Sequence, residues 1–307
     1  MTHRAKVTVA VVLSLAIGAG AYVAVQTYRT AQEVKRAQLL LAKRQANWKI
    51  LERRIDSEIR SFNGDVGLVI KDLETGWQLT HQPEQRFPSA SLVKIAIIAA
   101  CFQAVQDGQL ELSSRLRLNA TDRASGSGVL KDKPVGTMVA VEELIRLMIA
   151  ESDNTATNML VDRLGMASLN RSFQVLGLRQ TNLARKMMDF AARAKGIENY
   201  TTATEMAFLL ERLYRQELVS PDWSRRGLAL LKQQKLRDRI PAQLPPETVV
   251  AHKTGLERHL CHDAGIVFTE RGDYLIVVLT KGAASSQLAK AFIADAAFLT
   301  YQYLVET

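Results

Sequence analysis

Cysteine is scarce in this 307-residue chain. Cys101 and Cys261 are the only two, so at most one disulfide can form. Cys101 falls in an apolar helical run and reads as a small core residue. Histidine is nearly as scarce, with five in all. Two of them gather in "HLCHD", residues 259–263, but no second ligand cluster accompanies them. That stretch reads instead as a strand with polar residues on one face, and neither a metal nor any other cofactor is expected. Internal repeats and low-complexity linkers are absent. The body of the chain also lacks a charge excess. The net charge is +9, but residues 1–60 hold 11 Lys+Arg against 4 Asp+Glu, which leaves only +2 for residues 61–307. A nucleic-acid binder would carry its charge on the folded part, so no nucleic-acid partner is expected. Basic residues beside an apolar segment suit an anionic membrane surface better.

What is present starts with that segment. "VTVAVVLSLAIGAGAYVAV", Val7 to Val25, runs 19 residues without a charge, after Arg4 and Lys6. This is long enough to cross a bilayer as a helix. The rival reading is a cleaved signal peptide with "AGA" at 19–21 as its small-residue site. The apolar run continues through Tyr22 to Val25, which favours an uncleaved anchor. Both readings export the rest of the chain to the cell envelope, outside the cytoplasm. Arg29, Lys35 and Arg36 lie close on the far side, so the flanking charges do not set the orientation.

Composition beyond the segment, 47% hydrophobic and 23% charged overall, is that of a core-forming globular protein. Residues 30–60 contain neither Gly nor Pro and are rich in helix formers. From Trp48 the apolar residues Leu51, Ile55 and Ile59 follow at spacings of three and four, one face of a helix. This divides the chain into a segment 1–29, a basic helical stalk 30–47 and a main domain 48–307. "DVGLVIKDLETGWQLTH" predicts a hairpin, residues 91–106 a buried helix, and residues 141–217 mostly helix. "TTATE" at 201–205 predicts a capping box with Thr202 and Glu205. Strands return in "TVVAHKTG", "HDAGIVFTE" and "DYLIVVLTK", before a last helix over about 285–305. Strands at both ends with helices between predict an α+β fold. An antiparallel sheet from the N- and C-terminal parts packs against helices, with a central all-helical subdomain.

The chemistry begins at "RFPSASLVKIAII", residues 86–98, where a lone Lys94 heads an apolar run three residues after Ser91. Residues three apart share a helix face, so Lys94 is expected to set its amine beside the Ser91 hydroxyl. A Ser hydroxyl needs a neighbouring base to become a nucleophile, and a Lys in low-dielectric surroundings can be that base. Ser91 in a first turn also meets unpaired N–H groups and the favourable end of the helix dipole. One S-x-x-K is expected by chance in a chain of this length, at about one occurrence. Two further tripeptides change the weight: Ser152-Asp153-Asn154 after a predicted helix, and Lys253-Thr254-Gly255 at the end of a predicted strand. Each alone arises by chance in roughly one such chain in twenty.

In that order the three motifs are the signature of class A β-lactamases and penicillin-binding proteins. From about Trp48 to its end the chain resembles this family of penicillin-recognising serine hydrolases. The resemblance extends to the "FP" before the nucleophile, to "SDNTATNML" and to "HKTG". It implies that Ser91 is acylated, that Lys94 is the base in acylation and that Ser152 relays a proton to the leaving nitrogen. Asn154 would bind the substrate's side-chain amide, and Lys253 with Thr254 would grip its carboxylate. The backbone N–H groups of Ser91 and Leu256 would form the oxyanion hole. These roles suit the residue types: a Lys beside a hydroxyl at a strand end fits a carboxylate, and Gly255 lets an extended substrate approach the strand edge.

One departure stands out. Class A β-lactamases carry a Glu in the loop beyond the second motif, which activates the water that hydrolyses the acyl-enzyme. Here the corresponding position falls on Met187 or Met188, and the nearest carboxylate is Asp189, 35 residues after Asn154. Asp189 is either a displaced base, or it pairs with Arg185 or caps a turn. The expected activity is β-lactam hydrolysis through a Ser91 acyl-enzyme. A D-alanyl-D-alanine carboxypeptidase or transpeptidase-like enzyme acting on peptidoglycan peptides is the alternative, and a catalytically silent anchored binding protein is a third. The sequence leaves the oligomeric state open.

Overall fold

The computed structural model describes the backbone of residues 3–305 and the side chains of residues 20–305. Helix α1 (His3–Ser61) is exposed along its described upper part and buries Trp48, Leu51 and Ile55, the expected face, near its end. Most of the Val7–Val25 run lies outside the residues whose side chains are described. Among the described residues no helix is long and apolar enough to cross a membrane.

The expected hairpin is β1 (Asp65–Asp72) with β2 (Gln78–His81), joined through the turn that contains Gly76 at φ 78°. The predicted C-terminal strands are β7 (Val249–Glu257), β8 (Leu260–Phe268) and β9 (Tyr274–Lys281), followed by α9 (Ser286–Val305). They join β1 and β2 in one antiparallel sheet of order β2-β1-β9-β8-β7. Alternation along the strands divides the core in two. Val66, Leu68, Ile70, Ile276 and Val278 face α1 and α9, while Val69, Leu275, Val277 and Leu279 face the helical subdomain. Cys101 and Cys261 belong to clusters on opposite sides of this sheet, and both are free.

The middle of the chain forms two two-stranded ribbons and seven further helices. The ribbons pair β3 (Phe87–Pro88) with β6 (Tyr200–Thr201), and β4 (Arg115–Arg117) with β5 (Met138–Ala140). Strands of two or three residues leave no alternation to read in the sequence. The helices are α2 (Val93–Gln106), α3 (Val141–Ala150), α4 (Asn154–Leu164), α5 (Met166–Val175), α6 (Phe190–Ala194), α7 (Ala203–Tyr214) and α8 (Pro221–Leu231). Helix α2 is apolar all round, as a helix at the centre of a domain must be. From Val93 to Phe102 every side chain is buried, Lys94 included. Half of the predicted capping box forms. Thr202 Oγ1 accepts from Glu205 N at 3.2 Å, but the Glu205 carboxylate turns away. It accepts instead from the backbone of Arg179, Gln180 and Thr181, at 2.6, 2.8 and 2.6 Å. Three N–H donors outcompete the single one the box offers, and they pin the segment that leads into the loop over the cleft.

Candidate active site

Three elements converge: the turn that opens α2, the connection between α3 and α4, and strand β7. Ser91 lies in a short 3-10 turn, Ala90–Leu92, that runs directly into α2. Ala90 holds φ at 45°, a left-handed conformation that costs a non-glycine residue on the order of 1 kcal/mol or more. Ser152 sits between α3 and α4 at φ 52°, and Asn154 opens α4. The middle residue of that motif is its anchor. Asp153 Oδ1 accepts from Ala156 N at 2.8 Å and caps α4, while Oδ2 accepts from Val129 N and Leu130 N at 2.7 and 2.9 Å. Gly128 packs so closely on this carboxylate that a Cβ there would fall 2.2 Å from Asp153 Cγ. Lys253, Thr254, Gly255 and Leu256 run along β7, the edge strand of the sheet, whose outer side is free for a bound chain. Gly255 lies against the turn of the nucleophile. A Cβ on it would sit 3.3 Å from Ala90 Cβ and 3.3 Å from His262 Cδ2.

The two amines meet at Ser152. Lys253 Nζ donates to Ser152 Oγ at 2.9 Å and to the Thr254 carbonyl at 3.0 Å. Lys94 Nζ lies 2.6 Å from the Ser152 carbonyl, 2.9 Å from Asn154 Oδ1 and 3.2 Å from Ser152 Oγ. The expected pairing of Lys94 with Ser91 is therefore not formed, and Ser91 Oγ has no hydrogen-bond partner among the described residues. A fully buried amine takes the acceptors that best satisfy it, here a carbonyl and an amide oxygen, and leaves the half-buried hydroxyl to the cleft. Burial pushes the Lys94 amine well below its ordinary pKa. The charge of Lys253 adds to this and Asp153 opposes it. Lys253 is lowered to about 7, by burial first and then by Arg239, against the pull of Asp263. Burial thus disfavours the cation of both amines, and at Lys94 the charge of Lys253 adds to it.

Arg239 was not singled out in the sequence, where no motif marks it. It is fully buried, stands 3.1 Å from Asp238 and 3.2 Å from Cys261 Sγ, and its charge bears on both Lys253 and His262. The only hint was an Arg inside "LRDRIP", in the connection that leads to β7. The "HLCHD" residues part company along β8. His259 lies at the turn, Cys261 faces Arg239, Asp263 binds His252 Nδ1 at 3.0 Å, and His262 turns toward the nucleophile.

The loop over the cleft presents methionines. Met187 is held at both backbone groups by Asn158, one turn beyond Asn154 on α4. Its N–H donates to Asn158 Oδ1 at 2.9 Å, and its carbonyl accepts from Asn158 Nδ2 at 3.3 Å. Met188, at φ 63°, brings its thioether against Gly126 at the Asn154 end of the cleft. Asp189 is exposed and accepts from Ala192 N at 2.9 Å, capping α6, so the capping alternative holds. Arg185 pairs with Glu198 at 2.7 Å and Glu257 at 3.1 Å, not with Asp189.

A hydroxyl on a strained turn, a desolvated amine and a second hydroxyl held between two amines are what these three elements bring together. The family model described as Beta-lactamase enzyme family matches residues 49–304, and the chain belongs to that family, as a serine hydrolase of the class A-like type. A curated relative, the β-lactamase of Streptomyces albus G, is 28% identical over 80% of this chain and 82% of its own. Among solved structures, a β-lactamase from Sphaerobacter thermophilus is 29% identical, with a TM-score of 0.77 over 85% of this chain and 98% of its own. PBP-A is 30% identical, with a TM-score of 0.78 over 84% of this chain and 96% of its own. A Leu→Glu variant of PBP-A, also 30% identical, was solved as an acyl-enzyme complex with penicillin G.

Proposed function

We propose that the protein opens β-lactams through a Ser91 acyl-enzyme that it hydrolyses slowly. The observation that carries this reading is the pairing of a complete acylation set with a loop that puts Met187 and Met188 at the expected place of the base and turns Asp189 to the cap of α6. Ser91 Oγ attacks the lactam carbonyl, its proton passes to neutral Lys94, and the C–N bond breaks. Ser152 hands a proton to the departing nitrogen, which its position between Lys94 and Lys253 allows. The N–H groups of Ser91 and Leu256 receive the oxyanion, an arrangement whose single donors typically account for about 10² to 10³ in rate. Asn154 takes the side-chain amide. Lys253 and Thr254, with the charge of Arg239 behind them, hold the carboxylate. Completion of the cycle adds water to the ester and returns the serine, and for that step Met187 and Met188 supply no base. The PBP-A acyl-enzyme supports the first half of the cycle. The same machinery suits a D-alanyl-D-alanine peptide of peptidoglycan.

The cell envelope is the setting this reading requires. The uncharged Val7–Val25 run followed by an exposed basic stalk supports a membrane tether with the catalytic body outside the cytoplasm. Recovery of a soluble mature chain beginning at residue 22 would remove the tether, though not export. The function is tested by incubating the protein with a fluorescent penicillin and following the adduct by mass spectrometry. A burst to one equivalent followed by slow release is expected, and Ser91→Ala should abolish it while the thermal transition stays in place. Fast penicillin turnover with no detectable adduct would show that another group in the loop activates water.

A further inference from the structure

His262 has two polar contacts, and both are fixed. Nδ1 accepts from Thr280 N of β9 at 3.1 Å, and Nε2 lies 2.9 Å from the Pro88 carbonyl. A backbone N–H can only donate, so Nδ1 is the bare nitrogen and Nε2 carries the proton. Burial keeps the ring neutral, its pKa pushed down to about 4. The imidazole pairs in register opposite Gly255, meets the Phe87 ring edge-on at 6.3 Å, and fills the space behind Gly255. One side chain therefore ties β9, through β8, to the peptide that leads into the turn of Ser91.

That turn needs a tie. Ala90 is held at φ 45° against its preference, and a relaxed Ala90 would swing the next residue, Ser91, away from the β7 edge. On one side the segment is held by Ser89 N donating to the Asn199 carbonyl at 2.7 Å and by the β3–β6 pairing. On the other side His262 supplies the polar contact, with Gly255 packed beside it. We propose that His262 is a positioning residue for acylation: its Nε2–H bond to the Pro88 carbonyl holds the strained Ala90 turn so that Ser91 Oγ stays aimed along β7. The inference rests on Ser91 being the acylated residue.

Two substitutions in the full chain separate the arms of the ring. His262→Gln keeps a donor at the ε position and gives up the δ acceptor; His262→Asn keeps the δ acceptor and gives up the reach to Pro88. The limiting acylation rate and the prior dissociation constant are read from fluorescent penicillin labelling over a concentration series, with thermal unfolding alongside. His262→Asn should lower the limiting rate about 10-fold or more with the dissociation constant little changed, and His262→Gln should restore it to within about 3-fold. An Asn variant as fast as the parent overturns the proposal, and so do Asn and Gln variants equally slow, since only ring bulk would then matter. Should His262→Asn not fold, a Gln variant slowed more than about 10-fold overturns it alone. A parent protein that forms no adduct, or forms it elsewhere than Ser91, refutes the Ser91 reading instead.

Discussion

Ser152 Oγ stands 2.9 Å from one amine and 3.2 Å from another, and the proton inventory of these three groups sets how the enzyme should respond to pH. Acylation needs Lys94 neutral, and capture of a carboxylate needs Lys253 charged. Lys253 sits at about 7 in the free site, below its ordinary 10.5, because burial disfavours its cation. As pH rises through about 7 it loses its proton, and the second-order labelling constant for a carboxylate-bearing penicillin should fall. As pH drops through the lowered pKa of Lys94, the base is lost and labelling should fall again. A bell is expected, and the alkaline limb should shrink for a penicillin whose carboxylate is esterified. A flat profile above 7 for the free acid would show that Lys253 does not hold that group. At this scale residue type and spacing carried the message: Lys94, Ser152, Asn154 and Lys253 meet through hydrogen bonds, and Gly255 lies against the turn of Ser91. The sequence was not legible where neighbours decide. Lys94 turns from Ser91 to Ser152 because acceptors distant in the chain satisfy a buried amine better. Arg239 and His262 gain their meaning only from folding onto Lys253 and Pro88.

The loop from Arg185 to Glu198 shows the same division one scale up. The absence of a Glu at the expected position was plain from the sequence, but the placement of Met187 depends on Asn158, which grips both backbone groups. That grip fixes Met187 to the helix whose first turn carries Asn154, the partner of Lys94. Met187→Glu is therefore expected to bring a carboxylate to the buried side of the cleft and shorten the adduct lifetime about 10-fold or more, as followed by mass spectrometry. Asp189→Asn should leave the lifetime unchanged, because Asn caps a helix about as well as Asp. A longer-lived adduct in Asp189→Asn would restore Asp189 as the base. The short strands β3, β4, β5 and β6 were hidden for a related reason. They exist through their partners, and two or three residues carry no period of their own.

Across the whole molecule, the sheet predicted from the two ends of the chain is the observed one. Alternation in "DVGLVIKD" and "DYLIVVLTK" divides its two faces as the period of two requires. Arg44, placed before the domain, already pairs with Asp72 at 2.8 Å, and Trp48 meets Tyr303 edge-on at 5.3 Å. Strand β1 lies between β2 and β9, and Asp72 of β1 is matched to Tyr274, 202 positions further along. The inner partner of the first long strand thus leaves the ribosome about 200 residues after it. Contacts this distant are slow to close, and until they close Val66, Leu68 and Ile70 have no second strand to lie beside. The nascent chain should therefore stay open, and threadable through a translocation channel, until β9 has emerged. A chain stopped after residue 270 should remain protease-sensitive and fail to label with penicillin, whereas the full chain becomes resistant. A stably folded, protease-resistant fragment ending there would show that the sheet can be built without its last strand.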